Sequence, residues 1–396
     1  MVRPMTRLTI EGATITRLRV PLIKPYISSQ VRRGRDVIER TVIALHGSDG
    51  TTGYGETVGT SSVYAIVQDL CHRLRGHDAF AMGRFRRAWA PLTFSNMDGR
   101  NGFIAFGGVE AACHDLIARR LEVPLVDLLG GAQRTAIPCA GLMGALPVDA
   151  PLAGGEMEAY IADRGNIAAV VAEAEGLVAE SGYPSLKIKS VGLDQGWDLA
   201  VMQALRERFG PAMGLRLDVN GAFSVALALR LGRALEPLDL EYFEDPVSGI
   251  EGLARLRRDL RTPIATNMAI INMDQLPVGI RAGAADVILG DIFHWGGIRN
   301  FCDLAAVARA FELSMGMHSF WEMGIATAFN LHLAAALPVV DHPIDGILWL
   351  YPDDITKGDR LRVRDGVLNL PDGPGIGVEP DPAKLAQWSA GEVIVG

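Results

Sequence analysis

The chain has 396 residues, of which 49% are hydrophobic and 21% charged, and its formal net charge is -8. That balance is that of a globular protein, and the absence of a basic block argues against nucleic acid as a partner. No apolar run approaches the roughly 20 residues of a membrane span, and no apolar segment follows the first arginines, so neither a membrane anchor nor a signal peptide is predicted. Cys71, Cys113, Cys139 and Cys302 form no C-x-x-C pair and no zinc-like spacing, and read as reduced thiols of a cytoplasmic protein.

Strands come first. "ATITRLRVPL" alternates, and "RTVIALHGSDGTTGYGET" reads as strand, Gly/Asp turn and strand, a hairpin pattern. From about Ser62 to Leu129 apolar residues recur at helical spacing, and Gly130 and Gly131 close the run with a C-cap signal. This predicts an α+β module over residues 1–133. From about Ile137 short apolar segments alternate with longer amphipathic ones. The short ones are "IPCAGLM", "PSLKIKS", "LRLDVN", "EYFEDP", "PIATNM", "DVILGD", "LSMGMH" and "DGILWL". Helical stretches such as "SVALALRLGRALE" lie between most of them, which implies parallel strands joined by crossovers. Eight units predict a (β/α)8 barrel with an atypical last unit over residues 134–360. The tail, 361–396, carries a strand and Gly/Pro turns and is predicted to return to the N-terminal module.

Polar residues recur at the ends of these segments. In "SLKIKS", Lys187 and Lys189 share one face of a strand, because side chains alternate. Two like charges side by side need something negative in front of them. Asp218 and Asn220 end the third segment, Glu244 the fourth, Asn267 the fifth, Asp291 the sixth and His318 the seventh. The steps from Asp218 to His318 are 26, 23, 24 and 27 residues, each about one βα unit. In a parallel barrel such residues converge at the C-terminal ends of the strands. Asp218, Glu244 and Asn267 offer only oxygen, a donor set for a hard cation, Mg2+ or Mn2+. Asn220 shares a face with Asp218 and supports it. A substrate carboxylate on the cation, flanked by Lys187, would gain negative charge as its α-proton leaves, and the cation and ammonium would stabilise that charge. Lys189 then serves as base on one face. His318, oriented by Asp291, is a second candidate base on the other.

Each residue has a plainer reading by itself. A lone lysine on an apolar strand is more often an edge residue, and a lone His318 a satisfied core histidine. Asp218 and Glu244 could cap helices, and Asn267 could sit in a turn. His294 and Trp295 either line the site or pack, and Asp245 caps or pairs structurally. Separate origins explain poorly why one polar residue ends each unit.

On "KIK", "LDVNGAFS", "YFEDP", "ATNM" and "MGMHS" the chain resembles the enolase superfamily, mandelate racemase-like branch, across nearly its whole length. The resemblance implies an α+β capping domain and a modified barrel of (β/α)7β form. It also implies Mg2+-assisted abstraction of a proton α to a carboxylate. Asn267 as third ligand, and the Asp291–His318 pairing, are similar to the glucarate dehydratase group, in which the β-hydroxyl then leaves as water. The resemblance thus implies an acid-sugar dehydratase, and a homo-oligomer. Two departures stand out. Phe320 replaces a polar residue two places after His318, in the run His318, Ser319, Phe320, Trp321. No counterpart of the group's early substrate-contacting histidine is found; "ISSQVRRGRD" stands there, where Arg32 and Arg33 could reach a distal carboxylate. A racemase or epimerase on the same two bases, and a barrel that only binds sugar acids, are the alternatives.

Overall fold

The computed structural model describes residues 7–94, 99–147, 150, 155–359 and 361–396, without the side chains of residues 32, 33, 89–94 and 155. The N-terminal strands β1 (Ile10–Ser28), β2 (Val31–Gly47) and β3 (Thr52–Val58) form an antiparallel sheet. The predicted hairpin is β2–β3, turning at Gly50, whose φ of 86° suits glycine. Helices Ser61–Leu74, Met82–Phe94 and Gly99–Arg120 follow. Helix Gly99–Arg120 packs directly on β3, where a Cβ at Gly53 or Gly55 would run into the helix backbone.

The barrel strands are β4 (Ala136–Met143), β5 (Ser185–Lys189), β6 (Gly214–Asp218), β7 (Tyr242–Glu244), β8 (Ile264–Thr266), β9 (Val287–Gly290), β10 (Ser314–Met317) and β11 (Ile344–Gly346). They are parallel, in the order β10-β9-β8-β7-β6-β5-β4-β11. The barrel is nearly closed: the stretch leading into β11 bonds to β10 through the Asp341 and His342 N–H groups on the Met315 carbonyl. A helix follows each strand from β4 to β10, and among the described residues β11 is followed directly by a 3-10 turn rather than an α-helix, which gives the (β/α)7β form. The last of these helices, Gly324–Ala336, is buried on all sides between barrel and cap, as its all-round apolar sequence requires.

The eighth strand differs from the one read in "DGILWL". It ends at Gly346, and Leu348–Leu350 is a 3-10 turn. Loop packing rather than strand pairing buries Ile347 and Leu350 and half-buries Leu348 and Trp349: the Trp349 indole N–H donates to the Leu142 carbonyl at 3.1 Å, and Lys24 lies 4.7 Å over its ring. The tail pairs twice. β12 (Val367–Asn369) lies antiparallel to β4, and β13 (Ser389–Val395) lies antiparallel to β1 at the edge of the N-terminal sheet. All four cysteines are free; burial pushes the Cys71 and Cys139 thiols up to about 12. Among the described residues no helix is long and apolar enough to cross a membrane.

Candidate active site

Strand register brings the site together. Lys189 pairs with Asp218 across β5–β6, and Asp218 with Glu244 across β6–β7, so three polar residues stand side by side at the barrel mouth. Neither carboxylate caps a helix. Ser224 caps the helix after β6, and Gly249 precedes the helix after β7. Asp218 instead accepts from the Asn220 N–H at 2.9 Å and from Lys189. Asn220, at a left-handed φ of 51°, bridges the pair: its amide donates to Asp218 and its oxygen lies 3.4 Å from the Lys189 nitrogen.

Lys187 is fully buried. Its ammonium donates to Glu244 Oε1 at 2.8 Å and Asp345 Oδ2 at 2.7 Å. Burial pulls it down, but the charges of Asp345 and Glu244 outweigh this and hold it well above the ordinary lysine range. The same balance works on the carboxylates. Burial raises Asp218, yet Lys189 and Lys187 hold it below its ordinary value. Burial and the neighbouring Asp218 charge push Glu244 well above its own, against the pull of both lysines. Asn267 donates from its amide to Glu244 Oε1, and Asp245 holds its backbone N–H at 2.8 Å while accepting from Thr266 at 2.5 Å. Asp245 thus shapes the end of β8.

This nest fits a divalent cation. Asp218 and Glu244 are adjacent like charges, both buried, and Glu244 Oε2 lies 2.6 Å from the Lys187 nitrogen but off the direction of a hydrogen bond. Asp218, Glu244 and Asn267 would hold the ion through oxygen, and the two lysines neutralise the carboxylates meanwhile.

On the β9–β10 side, Asp291 Oδ2 meets His318 Nδ1 at 3.1 Å. The same oxygen lies 2.9 Å from His294 Nδ1, off the direction of a hydrogen bond, and the two imidazole rings are parallel with centroids 5.9 Å apart. Burial raises Asp291, but the two histidines hold it far below the carboxyl range. Burial pulls His318 below 6.5, against the raising effect of Asp291. Arg100 reaches from the N-terminal module to within 2.7 Å of His294 Nε2. Asp291, His294 and His318 also bring one donor atom each within 4.8 Å of one another. That nitrogen-rich set suits zinc rather than magnesium, and the Arg100 charge opposes any cation there.

The loop after His318 is heavily restrained. Ser319 turns its hydroxyl to Glu322 at 3.0 Å and gives its N–H to Asp345 at 3.2 Å. The Phe320 ring stands edge-on to His294 at 4.5 Å and to His318 at 5.7 Å. Trp321 has a φ of 63°, a strain of order 1–3 kcal/mol for a bulky residue. Bonds on either side hold it: Arg40 to the Phe320 carbonyl at 2.9 Å and the Tyr351 hydroxyl to the Trp321 carbonyl at 2.8 Å. Arg40 in turn pairs with Glu56 at 2.7 Å, and Glu56 accepts the N–H groups of Met323 and Ala326 at 2.8 and 2.9 Å. The N-terminal module thereby fixes the backbone beyond His318.

A cavity of about 700 Å3 lies over these residues, with Lys189, Asn220, Asn267, His318 and Ser319 in its wall and the ends of β1 and β2 above. The Arg32 and Arg33 side chains lie outside the described ones. Asp345, Tyr26, Arg40 and Glu56 escaped the sequence reading, which left His294 between lining the site and packing. Asp345 was hidden by the misplaced end of the eighth strand. His294, three residues after Asp291, carried the faint signal of i,i+3 spacing. Tyr26, buried at the end of β1 near the Asp218 and Lys187 charges, carried none.

The chain also matches two family models. Residues 15–130 match the family described as mandelate racemase / muconate lactonizing enzyme, N-terminal domain. Residues 169–384 match the family described as enolase C-terminal domain-like. The chain belongs to the enolase superfamily, in its mandelate racemase-like branch. It is 31% identical to a probable glucarate dehydratase of Streptomyces coelicolor, over 88% of this chain and 84% of that one. An isomerase from Streptomyces coelicolor A3(2) matches with a TM-score of 0.84 and 36% identity, over 96% and 99% of the two chains. An enolase from Thermobispora bispora, crystallised with magnesium and formate, matches with a TM-score of 0.86 and 31% identity, over 96% and 92%. Further relatives at 26–29% identity comprise a cycloisomerase, a racemase and another dehydratase. The chain is therefore an enzyme of this superfamily, whose relatives divide among several reactions.

Proposed function

We propose that the protein is a magnesium-dependent acid-sugar dehydratase. One observation carries the reading: Lys189 at the end of β5 and His318 just after β10, held by Asp291, line one cavity at the barrel mouth, with Asn267 of the Asp218, Glu244 and Asn267 nest in the same wall. When bound there, a divalent cation supplies Lewis-acid stabilisation of the charge that develops on a substrate carboxylate. Lys187, buried and held charged, adds a fixed positive centre below it. The Cα–H bond breaks with its proton passing to Nζ of Lys189 or Nε2 of His318, according to configuration. Asp291 holds His318 by Nδ1, which leaves Nε2 for the substrate. The Cβ–O bond then breaks, and hydroxide leaves as water with a proton from the same acid–base pair. No outside donor is needed. The amide at Asn267 and the likeness to a probable glucarate dehydratase support elimination.

Epimerisation is the second reading, and Phe320 favours it. Its ring, not a polar group, lies against His318, so a departing hydroxyl finds less help there. Product analysis separates the two. Incubation of mono- and di-acid sugars with protein and Mg2+ is expected to yield a 2-keto-3-deoxy acid from at least one. A stereoisomer without keto acid would overturn dehydration in favour of epimerisation.

A further inference from the structure

Lys189 is the last residue of β5, and its side chain is long, so its aim depends on how firmly the strand end is held. The next residue, Ser190, joins four segments. Its N–H donates to the Asp218 carbonyl at 2.8 Å, on β6. Its carbonyl accepts from the Ser29 N–H at 2.7 Å, in the turn between β1 and β2. Its hydroxyl accepts from the Gly192 N–H at 2.9 Å and donates to Asp198 Oδ2 at 2.7 Å, on helix Gln195–Phe209. Ser29 adds a hydroxyl bond to the Val219 carbonyl at 2.8 Å, one residue beyond Asp218. Ser190 is fully buried, so these bonds form away from water. None of them runs to Asp291 or His318, which stand at the ends of β9 and β10.

Asp198 is the member of this junction that the chemistry above does not use. Its carboxylate is buried, and among the described residues no lysine or arginine pairs with it; Arg164 pairs with Asp194 instead, at 2.6 Å. Burial pushes the Asp198 carboxyl up to about 7, against the pull of the Ser190 hydroxyl. A buried carboxyl without a cation is disfavoured. The plain account is that it stands in the first turn of its helix, where the dipole favours an anion. But Asp194 already caps that helix, by accepting the Gly196 N–H at 2.7 Å, so the helix start does not require Asp198.

We propose that Asp198, acting through Ser190, is a positioning residue for Lys189 and so serves proton transfer on one face of the substrate only. The inference rests on Lys189 being a base, as in the reading above.

Two measurements test it. Amide exchange in D2O, followed by mass spectrometry, needs no substrate. In Asp198→Ala, peptides holding Ser29 and Ser190 are expected to exchange about 10-fold faster, while those of the loop after His318 keep the parent rate. Exchange of substrate α-protons, followed by NMR on the Mg2+-loaded protein, is expected to slow about 10- to 100-fold on the Lys189 face and to hold on the His318 face. Affinity for Mg2+ stays at the parent value, since Asp218 keeps its bond to Asn220. A folding defect or a lost cation would slow both faces. Asp198→Asn keeps an oxygen for the Ser190 hydroxyl and should bring both measures back toward the parent. Ser190→Ala removes the bond from its other end and should reproduce Asp198→Ala, which covers a variant that fails to fold. Unchanged exchange at Ser29 and Ser190, equal slowing of both faces, or a parent rate on the Lys189 face overturns the proposal. A parent protein that exchanges no α-proton strikes the acid-sugar reading, and the amide result alone then upholds or overturns Asp198 as the residue that holds the end of β5.

Discussion

Lys189→Ala is expected to slow exchange of one α-proton by about 10²- to 10⁴-fold, the usual contribution of a positioned base. The effect should depend on configuration. An acid whose α-proton faces Lys189 loses exchange, while its epimer, facing His318, keeps it. His318→Asn reverses the pattern and retains a group able to hydrogen-bond Asp291. The arrangement of β5 and β10 across the mouth is what makes the prediction two-sided. His318 adds a pH signature. Burial lowers it from 6.5, so exchange on its face persists as pH falls to 6.5 and is lost below, as the imidazole takes up its proton. Proton NMR on both epimers in D2O reads all of this. A Lys189→Ala protein that exchanges both faces at the original rate would remove Lys189 from the chemistry.

The second large effect lies away from the reacting atoms. Glu56→Ala leaves Arg40 buried and unpaired and frees the Met323 and Ala326 N–H groups. Breaking a buried ion pair from one side typically costs about 3–5 kcal/mol. Urea or thermal unfolding should therefore show a marked loss. The double variant Glu56→Leu, Arg40→Met should recover much of the stability, because no charge is stranded. It should not recover full activity, since the Phe320 carbonyl loses Arg40 and the backbone beyond His318 loses its anchor. Equal stability of Glu56→Ala and the parent would show that the pair is dispensable.

Much of this site could be read in the sequence because of what a parallel barrel demands. Inward polar residues at strand ends are costly unless they are used together. Asp218, Glu244, Asn267, Asp291 and His318 recur at the length of one βα unit, so their periodicity survives without coordinates. Lys187 and Lys189 were legible because alternation puts both on one face, although the partners of Lys187 were only half visible. Asp345 was obscured because β11 has three residues and the apolar run that follows it draws the strand toward Leu350. Tyr26, Arg40 and Glu56 depend on how the N-terminal sheet meets the barrel. Their contacts span bulged strand pairing and long sequence separations, 280 residues in the Arg40 bond to Phe320 and more in the Tyr26 contact with Trp321, and no local pattern encodes them. His294 stayed open between lining the site and packing, because a histidine on an apolar run usually packs. Here its Nδ1 lies 2.9 Å from the Asp291 oxygen that meets the proposed base.

The central claim is that a cation nest and two opposed bases form one proton-abstracting site. The most direct measurement is α-proton exchange in D2O, by NMR, with the protein stripped by chelator and then titrated with Mg2+. Acid sugars of both α configurations serve as substrates. The account predicts exchange that appears with Mg2+, disappears again on chelation, and is abolished by Glu244→Gln in a protein that still folds. Exchange that is indifferent to Mg2+ and to Glu244→Gln would contradict it.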